Sequence, residues 1–296
     1  MHRLLGQERR GGQVLVLFAV VIMLLAAICV LTIDVGRLFT CKAQLQSAVD
    51  AAALAGASQL LGIVTEDEKA LALAEATAPG QFAMVRVRDE WDPYLRYALP
   101  LHRPSPASVG LYVTTGEPAY RWLSALRIGD TLDLVGPCGR AAPPPHPGAN
   151  VGLLSQGTSI ASLLGLLDAG TGGVQLVTSV PTARQAYPSE LLPARVAHSS
   201  FVGRGQDDAF WRAAREVVRW AEAVYTAGSE PFYRRLRDTI ERERVVTREG
   251  FAQAWAWRDM ACGTGACEGC LTPTRRGPRR ACTEGPFFDL SELIID

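Results

Sequence analysis

At 296 residues the chain is long for one compact domain, and its length asks for two modules plus an appendage. Thirty acidic residues balance thirty basic ones, so no global field points to nucleic acid or to an acidic substrate. Seven cysteines do not by themselves imply a secreted disulfide protein; if the four near the C-terminus bind metal, Cys29, Cys41 and Cys138 are left as an odd, scattered set, which favours a reducing compartment for that end.

In chain order, the first element is Val14 to Ile33, twenty residues of which only Thr32 is polar. At ~1.5 Å per residue it reaches about 30 Å, enough to cross a hydrocarbon core. It is long for a signal peptide, and the nearest A-x-A site, Ala51–Ala53, lies well past Asp34, Arg37 and Lys42. The run predicts a retained, single-pass membrane helix. Leu38, Leu45, Val49 and Ala52 then share one face opposite Gln44, Gln46 and Asp50, so an amphipathic helix is predicted to about Leu61. The Asp34–Arg37 run DVGR and the Gln44–Ala57 run QLQSAVDAAALAGA resemble the N-terminal segment of the TadE/TadG-like proteins of Flp-type pilus systems, over about residues 11–60. That resemblance implies an anchor; the D-x-S-x-S metal signature of longer relatives is absent.

Residues 64–78 read as a charged connector ending at Pro79-Gly80. Gln81 to Val87 alternates as a strand, and Leu111 to Thr114 reads as another. Pro-rich residues 142–150 are a stiff linker. Beyond it, short apolar runs at Val151–Ser155, Val174–Val180 and Ala221–Thr226 alternate with helical spacing at Gly157–Leu167 and Phe210–Trp220, and Glu230-Pro231 opens a further helix. This order predicts a parallel sheet flanked by helices.

The most specific pattern lies near the C-terminus. Cys262, Cys267 and Cys270 are spaced C-x4-C-x2-C, and Cys282 follows after eleven residues. Four thiolates so placed suit a 2Fe–2S cluster, with Gly263, Gly265 and Gly269 letting backbone N–H groups approach sulfur. A disulfide knot and a four-cysteine zinc site are the alternatives, the latter usually built from two C-x2-C pairs where one is present. The flanks carry a resemblance. The run MACGTGACEGCLTPTRRGPRRACTEGPFFDLSELI, Met260 to Ile294, resembles the iron–sulfur tail of the electron-transfer subunit of dihydroorotate dehydrogenase, a relative of ferredoxin-NADP reductases. PGQFAMVRV from Pro79, the Ile128–Pro137 segment IGDTLDLVGP, Gly157–Ser162 and Gly228–Phe232 extend it to about residues 79–296.

The apolar run and the two resemblances together imply an α+β, multidomain protein: an N-terminal transmembrane helix with its amphipathic, TadG-like extension (1–63), the connector (64–78), an incomplete antiparallel flavin-type β-barrel (79–141), the linker, a parallel α/β nucleotide-binding-like domain (151–258) and a small C-terminal 2Fe–2S domain (259–296). It implies Cys262, Cys267, Cys270 and Cys282 as cluster ligands. FAD is a second candidate cofactor, at Arg96, Tyr97, Leu99, Arg103, Gly116 and Glu117, with a nucleotide loop at Gly157 and Thr158. Departures count against FAD and a pyridine nucleotide: Pro106 where the flavin motif has serine, Pro118 in the second motif, and Ser159 and Ser162 where the nucleotide loop has glycine and proline. The implied activity is a membrane-anchored electron-transfer protein rather than a complete catalyst, exchanging electrons with a partner flavoprotein dehydrogenase catalytic subunit; a pilus or envelope structural protein on a vestigial scaffold is the alternative. Since clusters are assembled in the cytoplasm, residues 79–296 are expected on the cytoplasmic side. The scattered histidines His102, His146 and His198 read as surface residues, and Trp211, Trp220, Trp255 and Trp257 as core.

Overall fold

The computed structural model describes residues 18–23, 72–86, 95–105, 108–113, 119–127, 130–168, 172–203, 208–256 and 258–295. The chain divides into two compact units, Met1–Ala48 and Val49–Asp296. In the first, residues 18–23 are helical and exposed. The predicted membrane helix over 14–33 is described only there, and among the described residues no helix is long and apolar enough to cross a membrane. Six helical residues reach about 9 Å of a ~30 Å core. The single-pass anchor, and the cytoplasmic facing that depends on it, therefore have no described helix to carry them. The amphipathic continuation to Leu61 lies outside the described residues.

In the second unit, β1 (Phe82–Val85), β2 (Tyr97–Ser105), β3 (Ser108–Leu111) and β4 (Leu134–Cys138) form an antiparallel sheet in the order β3-β2-β1-β4. The turn into β1 is fastened by Gln81, whose Oε1 accepts from the Ala78 N–H (2.8 Å) and whose Nε2 donates to the Gly139 carbonyl (3.0 Å). Alternation then splits β1 between two cores: Ala83 and Val85 pack with Leu99 and Leu101, while Phe82 and Met84 join the main cluster. The expected barrel is not closed. The described strands make an open sheet with β3 and β4 at its edges, and residues 72–76 are helical where a first barrel strand would precede β1. The strand expected at Leu111–Thr114 runs instead over Ser108–Leu111, set by pairing of Leu111 with Leu101.

The second sheet contains β5 (Val151–Gln156), β6 (Val174–Val180), β7 (Val196–Val202), β8 (Ala223–Ala227) and β9 (Ala252–Trp255), all parallel. After β9 come a two-residue hairpin, β10 (Leu271–Thr272) with β11 (Arg279–Arg280), and β12 (Phe287–Asp289), which pairs antiparallel with β9. The order is β12-β9-β8-β5-β6-β7, so the C-terminal tail is stitched into the edge of the main sheet. The Asp208–Trp220 helix buries Phe210, Trp211, Ala214, Val217 and Val218, the spacing of one helical face. Ser229 stands at the N-cap of the Glu230–Glu243 helix without a side-chain capping bond, and Pro231 lies in its first turn as predicted. The Gly157–Leu166 segment is helical too, but as a 3-10 helix.

Candidate metal centre

The Asp259–Cys270 loop leaves β9 and returns through the β10–β11 hairpin to Cys282, in the short helix Ala281–Glu284. That path brings together cysteines separated in sequence. Cys262, Cys270 and Cys282 are buried and Cys267 is half-exposed; none of the four is in a disulfide, which removes the disulfide knot as a description of this structure. The Cys282 N–H points at the Cys270 Sγ (3.4 Å) and the Thr264 N–H at the Cys262 Sγ (3.5 Å). Gly263, at φ 71°, permits the turn: a Cβ there would lie 2.6 Å from Met84 Cγ on β1.

The electrostatics follow from contact between thiols. The Cys282 side chain hydrogen-bonds Cys262 and holds its thiol well below the usual range, helped by the backbone N–H groups of Thr264 and Cys267. Donation to Cys262, and burial, drive Cys282 far upward. Burial raises Cys267. Cys138 on β4 lies beside the same loop, 3.4 Å from where a Gly263 Cβ would stand, and burial together with Cys262 pushes it up to about 11. Nothing in the sequence spacing of Cys138 marks that proximity.

The sequence reading expects a cluster at these cysteines. The structure does not display a ready cage: among the described residues no group of three or more His, Cys, Asp or Glu side chains is arranged to hold a metal ion. The thiols lie within hydrogen-bond reach of one another, Cys262 with Cys267 and Cys282, and Cys282 with Cys270. The donor set itself fits an iron–sulfur group, with four uncrosslinked thiols and N–H groups directed at sulfur.

The other predicted site residues are dispersed. The Arg96 guanidinium is committed to Asp133, in a bidentate pair (2.8 and 3.0 Å) with a further bond to its carbonyl (3.2 Å). Tyr97 pairs with Val85 across the sheet, and Leu99 is buried in the smaller core. Gly116, Glu117 and the Arg103 side chain lie outside the described residues. Arg96, the cation described among the flavin-site residues, is thus engaged by a carboxylate. Gly157 and Thr158 line a cavity beyond the carboxyl ends of β5 and β8. Trp211 and Trp255 are core residues as predicted, while Trp257 lies outside the described residues. His146 is exposed, His102 and His198 half-buried. Of the basic turn, Arg276, Arg279 and Arg280 are paired with Glu292, Glu284 and Glu268.

The family model for the iron-sulfur cluster binding domain of dihydroorotate dehydrogenase B matches residues 258–294, which span all four cysteines. The probable dihydroorotate dehydrogenase B (NAD(+)) electron transfer subunit of Thermoplasma volcanium is 27% identical over 221 residues, 73% of this chain and 80% of the relative. The corresponding subunit of Desulforamulus reducens is 25% identical over 239 residues, 75% of this chain and 88% of its own. The likeness is to electron-transfer subunits. An NADH-dependent reduced ferredoxin-NADP oxidoreductase structure superposes with a TM-score of 0.63 at 20% identity, covering 77% of this chain and 83% of the other. That shows a mixed α/β, reductase-like fold. At the other end, the model for putative Flp pilus-assembly TadE/G-like proteins matches residues 12–59. The match extends to sequence alone; the membrane-spanning role expected of that segment is corrected by the lack of a described spanning helix, and the membrane-anchored activity is corrected with it.

Proposed function

We propose that the second unit is an electron-transfer subunit that carries a 2Fe–2S cluster on Cys262, Cys267, Cys270 and Cys282 and serves a flavoprotein dehydrogenase catalytic subunit. The supporting observation is the convergence of four uncrosslinked thiols within a stretch similar to an iron–sulfur binding domain. A binuclear cluster takes two thiolates at each iron, so a cage around a single ion is not the arrangement it needs. When bound, the cluster supplies one-electron chemistry.

The chain's own residues do the rest. Thr264 and Cys282 direct N–H groups at sulfur, which favours the more negative state. Met84 and Cys138 close the inner side of the loop against β1 and β4, keeping water from Cys262. Cys267, flanked by exposed Ala266 and Glu268, is the open side, through which a partner would approach. Substrate chemistry belongs to that partner, since what the cluster would supply here is electron exchange.

The test is the purified full-length chain, reconstituted anaerobically with iron and sulfide. Expected are equal amounts of iron and acid-labile sulfide and a red-brown colour, both lost in Cys270→Ser. Zinc in place of iron, or iron and sulfide at wild-type levels in the variant, would overturn the assignment.

A further inference from the structure

Beyond the cluster, the sheet carries a second concavity. In an open α/β sheet, ligands bind outside the carboxyl ends of the strands where the strand order reverses, and here that point lies between β5 and β8. The cavity there is about 540 Å³, lined among others by Gln156, Thr158, Ser229, Glu230, Arg258 and Ile294. The similar subunits carry NAD(+) in their names. A dinucleotide pyrophosphate at such an edge needs free backbone N–H groups and positive charge.

The residues present do not fit that need. The Ser229 N–H (3.2 Å) and the Ser229 hydroxyl (2.7 Å) both donate to Gln156 Oε1, so one carboxamide ties the β5 loop to the β8 loop. The Gly228 N–H donates to the Tyr233 hydroxyl at 2.9 Å. Pro231 has no N–H to offer. The Glu230 carboxylate lies in the first helical turn, where it meets the positive helix end, and it also holds Arg258 at 3.0 Å. The two charged side chains of the lining thus pair with each other, and the Gly228 and Ser229 N–H groups leading into the helix are already taken.

We propose that Gln156 is a specificity-determining residue, a latch between the two loops that bars the pyrophosphate of a pyridine dinucleotide from this cavity. Its carboxamide accepts the two Ser229 hydrogen bonds that a phosphate oxygen would otherwise take, and its side chain occupies the space between the loops. Truncation frees both donors without touching the strand pairing of β5.

Calorimetric titration of the full-length chain tests this without any dependence on the cluster, so its outcome is separate from the assignment of the cysteines. The probes are NADH and ADP-ribose, which keeps the pyrophosphate and lacks nicotinamide. The wild-type chain should bind both with a Kd of about 1 mM or weaker. Gln156→Ala should tighten ADP-ribose roughly tenfold, on the order of one recovered charge-assisted hydrogen bond. Gln156→Glu, of equal length and retaining the acceptor, should show no tightening. Should the alanine variant fail to fold, Gln156→Asn, one methylene too short to bridge, must give the same gain. Micromolar NADH binding by the wild type, or a folded truncation variant that binds no better, overturns the proposal.

Discussion

The cysteine loop and the cavity between β5 and β8 both present polar backbone to a concave site, yet they dispose of it in opposite ways. In the loop, the N–H groups of Thr264 and Cys282 point at sulfur, an acceptor that a metal can share. In the cavity, the N–H groups of Gly228 and Ser229 are taken by the hydroxyl of Tyr233 and the carboxamide of Gln156. The difference shows that a ligand site depends less on how many donors face it than on whether the protein has already satisfied them.

Three substitutions break or sharpen that contrast. The largest effect is expected from Phe287→Ala. Phe287 on β12 is buried edge-on against Trp255 (5.3 Å) and Tyr225 (6.0 Å), and it joins the tail beyond Cys282 to the sheet. Loss of the ring should cost about 3–5 kcal/mol, read as a lower urea midpoint at unchanged slope. Because the tail positions Cys282, iron retention should fall in the same variant while the cavity keeps its weak nucleotide binding. A variant with full stability would show that the loop does not depend on β12.

Tyr233→Phe acts on the cavity alone. The hydroxyl accepts from Gly228 N–H and donates to the Trp255 carbonyl, and burial pushes its pKa well above the usual phenol range. Its removal leaves the buried Trp255 carbonyl and the half-buried Gly228 N–H unpaired and should cost about 1–3 kcal/mol. Iron and sulfide content should be unchanged. Parallel loss of iron would mean that the two regions are coupled through Trp255.

The smallest effect is expected away from both. The His102 ring lies over Gly110 across the β2–β3 pair, and burial lowers its pKa, opposed by a hydrogen bond to the Gly110 backbone. A histidine depressed in the folded state favours the neutral ring. Its contribution is then complete above the unfolded value of about 6.5 and is lost as pH falls below it toward the folded pKa. His102→Gln should flatten the acid side of the stability profile in that window and leave the value at pH 8 nearly unchanged. An unaltered acid slope would place the pH dependence elsewhere.

Much of this architecture is written locally. The apolar runs of β5 and β6 and the one-sided Asp208–Trp220 helix follow from periodicity, because each side chain's burial is set by neighbours two or four residues away. The PGQF turn and the C-x4-C-x2-C spacing were equally legible, since a turn residue and a thiol triplet act within a few residues. Less was legible where pairing is remote. β7 alternates weakly and is held mainly by β6, β2 takes its register from β1 and β3, and β12 completes a sheet begun more than a hundred residues earlier.

By itself, the sequence determined the chemistry on offer: four closely spaced thiols, a reductase-like order of strands and helices, and motif departures in the nucleotide loop. Only the tertiary structure decided how those groups are used. It placed Cys138 beside Cys262, committed Arg96 to Asp133, closed Gln156 onto Ser229, and joined the described strands of the first sheet in the open order β3-β2-β1-β4. The physical reason is that hydrogen bonds and ion pairs are settled by which groups meet in space, and a chain's spacing fixes meetings only within a turn or a hairpin.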